Sequence, residues 1–249
     1  MSNPGLTVVI RSYKAHSTLP AAIRSVQGGI ENVPDASILG VVPIEDVKTT
    51  KIFKEHDCKV VHTAVPDITR QANAGFNAAN TKYVQVFDSD DIMYPNMPAS
   101  LLYAAEHTQS DVVWSDYELW VGEKYIEPVF CTSAMYMIAY RCFIPELCLY
   151  RKDIWTSLGG YDESLWRYAQ WDYFLRLFEA DGRFLRVPFF GFRYMQHQNQ
   201  ISRRIERGEL TKIDDPAWER FKVKHPALMN ASSVGHGGRM RDVLNHVVA

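Results

Sequence analysis

The chain has 249 residues, of which 47% are hydrophobic and 22% charged, with a formal net charge of −2. That composition belongs to a globular chain able to bury a real core, in one large domain or two small ones. It excludes a global attraction to nucleic acid or to an acidic membrane surface. Four cysteines without C-x-x-C spacing (Cys58, Cys131, Cys142, Cys148) argue against a zinc site and a secreted disulfide framework.

"LTVVIRSY" (6–13) reads as a buried parallel strand, short and β-branched. A helix follows in "STLPAAIRSVQG", with Ser17 or Thr18 as N-cap and Leu19, Ala22, Ile23 and Val26 on its apolar side. Strand and helix then alternate: strand 36–44, helix 47–57, strand 59–65, helix 68–80, strand 82–88 and helix 97–108. Gly75 sits inside the helix 68–80 at a cost of about 1 kcal/mol against alanine. Four such alternations predict right-handed βαβ units and a mostly parallel sheet, with a ligand beyond the carboxyl ends of the strands.

The second half differs. "DVVWSDYELWVGEKYIEPVF" (111–130) predicts a hairpin about Val121-Gly122-Glu123, "ELCLYRK" (146–152) a strand, and "DIWTSLGG" a short helix stopped by Gly159 and Gly160. The segment 168–182 reads as a helix with Trp171, Phe174, Leu175 and Phe178 on one face, and 183–197 returns as strand. From Ile201 the chain is polar with a modest positive excess, and "SSVGHGGRMRD" inside it reads as mobile. The N-terminus has no apolar signal core and no run of about eighteen apolar residues occurs, so the expected compartment is the cytoplasm, with no transmembrane segment.

"VQVFDSDDIMYP" (84–95) carries the chemistry. Asp88, Asp90 and Asp91 close a buried strand, where like charges repel and favour protonation of one. Three readings are open. The cluster is a solvated turn or cap, a site for Mg²⁺ or Mn²⁺ built from carboxylates at i and i+2, or an aspartyl-phosphate nucleophile. The last expects Thr or Val where Ile92 stands, on a first rather than a fourth strand.

In order and spacing, "TVVIRSYKAHSTLPAAIRSV", "RQANAGFNAANTKYVQVFDSDD", "GGYDESLWRYAQWDYFLRL" and "YMQHQNQIS" resemble the inverting family 2 glycosyltransferases over roughly residues 6 to 203. The resemblance implies an α/β chain of GT-A (Rossmann-like) fold: a nucleotide-sugar half at 1–108, an α+β acceptor half at 109–203 of the same domain, and a C-terminal tail at 204–249. It implies transfer of a sugar from a nucleoside diphosphate sugar, a UDP-sugar favoured, to an acceptor hydroxyl with inversion. The acceptor classes are a glycan, a lipid-linked sugar, a protein or a modified nucleobase.

Carried over position by position, Arg11, Ser12, Tyr13 and Lys14 would wrap the base and ribose. Glu45 or Asp46 would meet the base, Pro43 and Ile44 standing where acids are usual. Arg70 would reach the pyrophosphate and Asn73 would lie near the donor. Asp88 would meet the ribose or the metal, Ser89 would contact the nucleotide sugar, and Asp88, Asp90 and His197 would hold Mn²⁺ or Mg²⁺. Trp114, Trp120, Trp166 and Trp171 are candidate sugar platforms. The family's general base stands in an acidic pair at a helix start, where this chain reads "AQWDYFLRL" with Ala169 and Gln170. Gln170 cannot accept a proton at neutral pH, which leaves Asp172, Asp162 and Asp116 as candidate bases. A sugar-nucleotide-binding module without turnover is the alternative, and a nucleotidyltransferase would want a glycine in "RSYKAHSTLP".

Overall fold

A computed structural model describes residues 5–198, 200 and 216–226. The first half forms β1 (Leu6–Arg11), α1 (Leu19–Ile30), β2 (Ala36–Pro43), α2 (Val47–Glu55), β3 (Lys59–Thr63), α3 (Ile68–Ala78) and β4 (Tyr83–Asp88). The four strands are parallel, in the order β3-β2-β1-β4. β1 pairs with β4 from Leu6↔Tyr83 to Arg11↔Asp88, so the last residues of these two strands stand side by side.

The helices start where the sequence supplies donors and acceptors. Asp46 accepts the Thr49 amide at the head of α2, and Asp67 accepts those of Thr69 and Arg70 at the head of α3. Thr18 precedes α1, yet its hydroxyl donates back to the Ala15 carbonyl and makes no cap bond. Gly75 has a packing reason: a Cβ there would come within 2.3 Å of Val9 Cγ1, so only glycine lets α3 lie against β1.

The second half comprises β5 (Ile92–Met93), α4 (Met97–Thr108), β6 (Val112–Val121), β7 (Lys124–Val129), β8 (Leu149–Arg151), α5 (Lys152–Ser157), α6 (Ala169–Glu179), β9 (Phe184–Gln196) and α7 (Pro216–Lys224). A 3-10 segment spans Met135–Ala139, and two short 3-10 turns, kinked at Trp166, span Glu163–Tyr168. The sheet continues β4-β8-β6-β9-β5, with β7 folded back on β6. β8 runs antiparallel to both β4 and β6, whereas β6 and β9 are parallel to each other. Six strands (β1 to β4, β6, β9) therefore share one direction. Val187 faces Ser115 but Phe190 faces Asp116, so Pro188 and Phe189 bulge out, a place where proline costs no ladder bond.

Alternation along the strands divides the core. Val9, Val84 and Val86 face α3, α5 and α6; Leu6, Val8, Ile10 and Phe87 face α1, α2 and α4. On α6 the buried positions are Ala169, Asp172, Tyr173, Phe174, Leu175 and Leu177, whereas Trp171 and Phe178 are half-buried, so the face lies rotated from the one expected. Within the expected polar tail, α7 buries Ala217 and Phe221, the latter against Trp171 and Tyr168. The segments 201–215 and 227–249, including "SSVGHGGRMRD", lie outside the described residues. No helix among the described residues is long and apolar enough to cross a membrane.

Candidate active site

The site lies at the carboxyl end of the codirectional strands. β1 ends in Arg11 and β4 in Asp88; β9 runs out through Gln196 to His197. Because β8 is antiparallel to β4, the segment leading into it (Pro145–Cys148) lies beside the carboxyl end of β4, where the Val86 amide donates to the Cys148 carbonyl. Side chains from four separated stretches meet there.

Arg11 is the hub. Its Nε and Nη2 donate to Asp88 Oδ1 at 3.1 and 2.5 Å, and its Nη1 donates to Glu146 Oε1 at 2.6 Å. The guanidinium is almost wholly buried, while both carboxylates keep over a quarter of their side-chain surface. Burial alone would lower the Arg11 pKa; Asp88 and Glu146 overcome this and raise it. Burial pushes Asp88 up to about 6, with Glu146 and Asp90 adding repulsion against the pull of Arg11. Asp91 is fully buried and held well above the carboxylate range, chiefly by desolvation and then by Asp90 and Asp88. One of its oxygens accepts the Met195 amide; the other has no partner. Asp90 Oδ2 meets His197 Nε2 at 2.8 Å and the Gln200 amide at 3.5 Å.

Asp90, on the loop after β4, and His197, after β9, are thus brought together in a direct contact. Asp88 does not complete a three-ligand group with them: its Oδ1 is turned to Arg11, and among the described residues no three His, Cys, Asp or Glu side chains are set around one point. The donor chemistry still suits a hard divalent cation. A carboxylate and an imidazole converge beside a surplus of negative charge that Arg11 alone does not neutralise, and Asp91 keeps an orphaned buried oxygen.

The loop after β1 is ordered by backbone and side-chain contacts. Ser12 is buried, its amide donating to the Val41 carbonyl and its hydroxyl lacking a partner. Tyr13 is exposed, with Lys14 Nζ 4.8 Å from its ring centroid. Ser89 is buried in the turn after β4. Glu45 is exposed, and it is Asp46 that ties this loop down, accepting the Lys14 amide at 2.6 Å, His16 Nε2 at 3.2 Å and the Thr49 hydroxyl at 2.7 Å. Arg70 is exposed and reaches Glu163 at 3.5 Å. Asn73 brackets Tyr161, accepting its amide and donating to its carbonyl, so its amide stitches α3 to the loop 161–163.

The three carboxylates expected as bases are corrected. Asp172 is fully buried and contacts Arg176 (2.8 Å), Lys224 (2.8 Å) and His225 (2.9 Å). Those bonds overcome desolvation and hold its pKa down at about 2, so it is neither reachable nor basic. Asp162 accepts the Ser164 amide and hydroxyl and meets Lys224. Asp116 is buried between Arg186 and the Cys131 amide. Gln170 packs toward the site, donating to the Pro145 carbonyl at 3.2 Å and the Tyr150 hydroxyl at 3.4 Å. Of the tryptophans, Trp114 is core and Trp171 is covered by α7 and donates to the Ile138 carbonyl. Trp120 stacks under Arg193, and Trp166 is half-buried at φ 45° with Arg167 over its ring. Glu146 escaped the sequence reading because "ELCLYRK" looks like plain strand; its arrival depends on the antiparallel insertion of β8.

Residues 7–127 match the family model described as Glycosyl transferase family 2. The chain is similar to "Uncharacterized glycosyltransferase YwdF" of Bacillus subtilis (strain 168), 25% identical over 193 residues that make up 74% of this chain and 67% of that protein. Among solved structures it is similar to S. aureus TarS 1-349, with a TM-score of 0.62 at 11% identity over 77% of this chain. The same protein in complex with UDP-GlcNAc gives 0.65 at 13% over 79%, and with UDP 0.59 at 12% over 78%. The chain spans about 60% of the length of TarS 1-349. At such identities the likeness concerns the fold, the GT-A arrangement of a mostly parallel sheet between helices. The family match over residues 7–127, the curated relative and the fold agree on a family 2 glycosyltransferase.

Proposed function

We propose that the chain transfers a sugar from a nucleoside diphosphate sugar to an acceptor hydroxyl, with inversion and with the support of a divalent cation. One observation carries the reading. Arg11, Asp88, Asp90 and His197 meet at the carboxyl ends of β1, β4 and β9, the place where a doubly wound sheet receives its ligand. The donor we favour is a UDP-sugar, because structures of similar fold were solved with UDP-GlcNAc and UDP. Tyr13 would stack on the base, Ser12 and Ser89 would meet the ribose, and Asp88 would use the oxygen that Arg11 leaves open. Asp90 and His197 would hold Mn²⁺ or Mg²⁺, whose charge makes the departing diphosphate a better leaving group. The acceptor would lie against the half built from β6 to β9, as a glycan, a lipid-linked sugar, a protein or a modified nucleobase. A cytoplasmic site of action fits the four free cysteines.

The test is a calorimetric titration with UDP in the presence and absence of Mn²⁺, followed by assay of UDP release from a panel of UDP-sugars. Metal-supported binding and release are expected; no UDP binding with Mn²⁺ present would refute the reading. Gln170 at the helix start favours a second reading, a module that binds the sugar nucleotide without turnover. Binding with no release from any sugar or acceptor tried would select it.

A further inference from the structure

We infer that Glu146 is the general base of the transfer, replacing the helix-borne acid that this chain lacks, with Gln170 as its positioning residue. The assignment rests on the glycosyltransferase reading above. The observations begin with elimination. Gln170 stands at the start of α6 and carries an amide that cannot take a proton at neutral pH. The carboxylates of Asp116, Asp162 and Asp172 are all occupied by cations and backbone amides. Glu118 accepts from the Tyr94 hydroxyl and Trp120 Nε1.

Glu146 is in a different situation. Its Oε1 accepts from Arg11, while Oε2 has no partner among the described residues, and the side chain keeps 28% of its surface. Arg11 does not need it for neutrality, since Asp88 already supplies one full negative charge through two hydrogen bonds. A second carboxylate on the same guanidinium is a surplus at the donor end of the sheet, a costly placement unless the group has work there.

The loop is also held in place. Gln170 Nε2 donates to the carbonyl of Pro145, the residue before Glu146, and the Cys148 thiol donates to the same oxygen at 2.7 Å. Gln170 further joins the Tyr150 hydroxyl, which lies 3.0 Å from that of Tyr161. The position that bears an acid elsewhere in the family here fixes the backbone of a neighbouring acid. The charged and titratable groups facing Glu146 are Arg11, Asp88, Cys142, Cys148 and Tyr161.

In the step, Glu146 Oε2 takes the proton of the acceptor hydroxyl as that oxygen bonds to the anomeric carbon. The bond from that carbon to the diphosphate oxygen breaks, and the diphosphate leaves with the electron pair. The glutamic acid then returns its proton to water. Arg11 orients the carboxylate through Oε1 and leaves Oε2 for the acceptor.

The experiment uses the full chain with Mn²⁺ and a UDP-sugar that the unaltered protein hydrolyses. E146Q is expected to lower kcat for UDP release about a hundredfold or more and to leave UDP affinity within about threefold. Formate should rescue E146A, and Q170E should restore turnover to E146Q by returning the carboxylate to the helix. Turnover of E146Q within threefold of the unaltered protein overturns the assignment. So does loss of UDP binding together with turnover, without rescue by formate, which would make Glu146 a structural partner of Arg11. Should the unaltered protein fail to bind UDP at all, the glycosyltransferase reading itself falls, an outcome distinct from either.

Discussion

Two aspartates of this molecule sit among basic residues and titrate in opposite directions. Asp172, between α6 and α7, has no exposed surface and three basic partners, and its pKa falls to about 2. Asp88, at the end of β4, shares one arginine with a second carboxylate and stands near a third, and its pKa rises to about 6. The first cluster has more positive partners than it needs and is closed. The second has more negative charge than it can balance and is open at one side. A closed cluster staples elements together, whereas an open, unbalanced one awaits a ligand of opposite charge. The count of partners rather than the residue type separates an acid bound into the packing from one left open at the strand end.

The largest effect expected from breaking this contrast is on stability. D172N removes the buried charge that gathers Arg176, Lys224 and His225; Lys224 keeps Asp162 and Arg176 keeps the Leu158 and Gly160 carbonyls, so the loss stands at the low end for a broken buried pair, about 3 kcal/mol. Thermal denaturation should show the loss, and α7 should become sensitive to proteolysis. UDP affinity, measured below the new midpoint, should stay within about threefold. A stable D172N protein that fails to bind donor would place Asp172 in the site.

Acid should act in the same direction and somewhat less strongly. The folded pKa of Asp172 lies below its ordinary value, so its contribution is present above about pH 4 and is lost as pH falls toward 2. A shift of this size corresponds to about 2 kcal/mol, and D172N should be the variant in which this part of the acid transition is missing. Asp88 has the opposite sign. Its raised pKa means that ionisation opposes folding as pH rises through 4 to 6, and a bound divalent cation should remove that penalty. Mn²⁺ is therefore expected to raise the denaturation midpoint more at pH 7 than at pH 4.5, and an equal shift at both values would count against a cation beside Asp88.

The smallest effect sharpens the boundary of the site. Arg70 is half-exposed and only loosely paired with Glu163 at 3.5 Å. R70A should change stability by less than about 0.5 kcal/mol and should leave Mn²⁺-supported UDP affinity within about twofold. A tenfold loss of affinity would return Arg70 to the pyrophosphate.

Much of the fold was legible because the first half is built from local signals. Apolar runs of strand length and their alternation with helical periods declare the elements without long-range information, whereas the caps Asp46 and Asp67 showed only in the structure and the expected cap Thr18 makes no cap bond. Asp88 and Asp90 stood out because carboxylates closing a buried strand are anomalous in place, whereas His197 came only through the family resemblance of "YMQHQNQIS". What could not be read depends on contacts between distant segments. Glu146 meets Arg11 across 135 positions, and Asp172 meets His225 across 53. Nothing in "ELCLYRK" says that its strand inserts antiparallel beside β4, and nothing in a polar tail says that Phe221 and His225 return to cover α6. The same distance explains the tryptophans: Trp114 points into the core because β6 pairs with β9 and β8, a register invisible in "DVVWSDYELW".

The central claim is that the acids closing β4 serve a cation that carries a nucleotide's phosphates. Its most direct test is calorimetry of UDP against the unaltered protein and D90N, each with and without Mn²⁺. The account predicts binding that Mn²⁺ strengthens at least tenfold in the unaltered protein and a Mn²⁺ effect that disappears in D90N. Equal UDP affinity in all four titrations would contradict it.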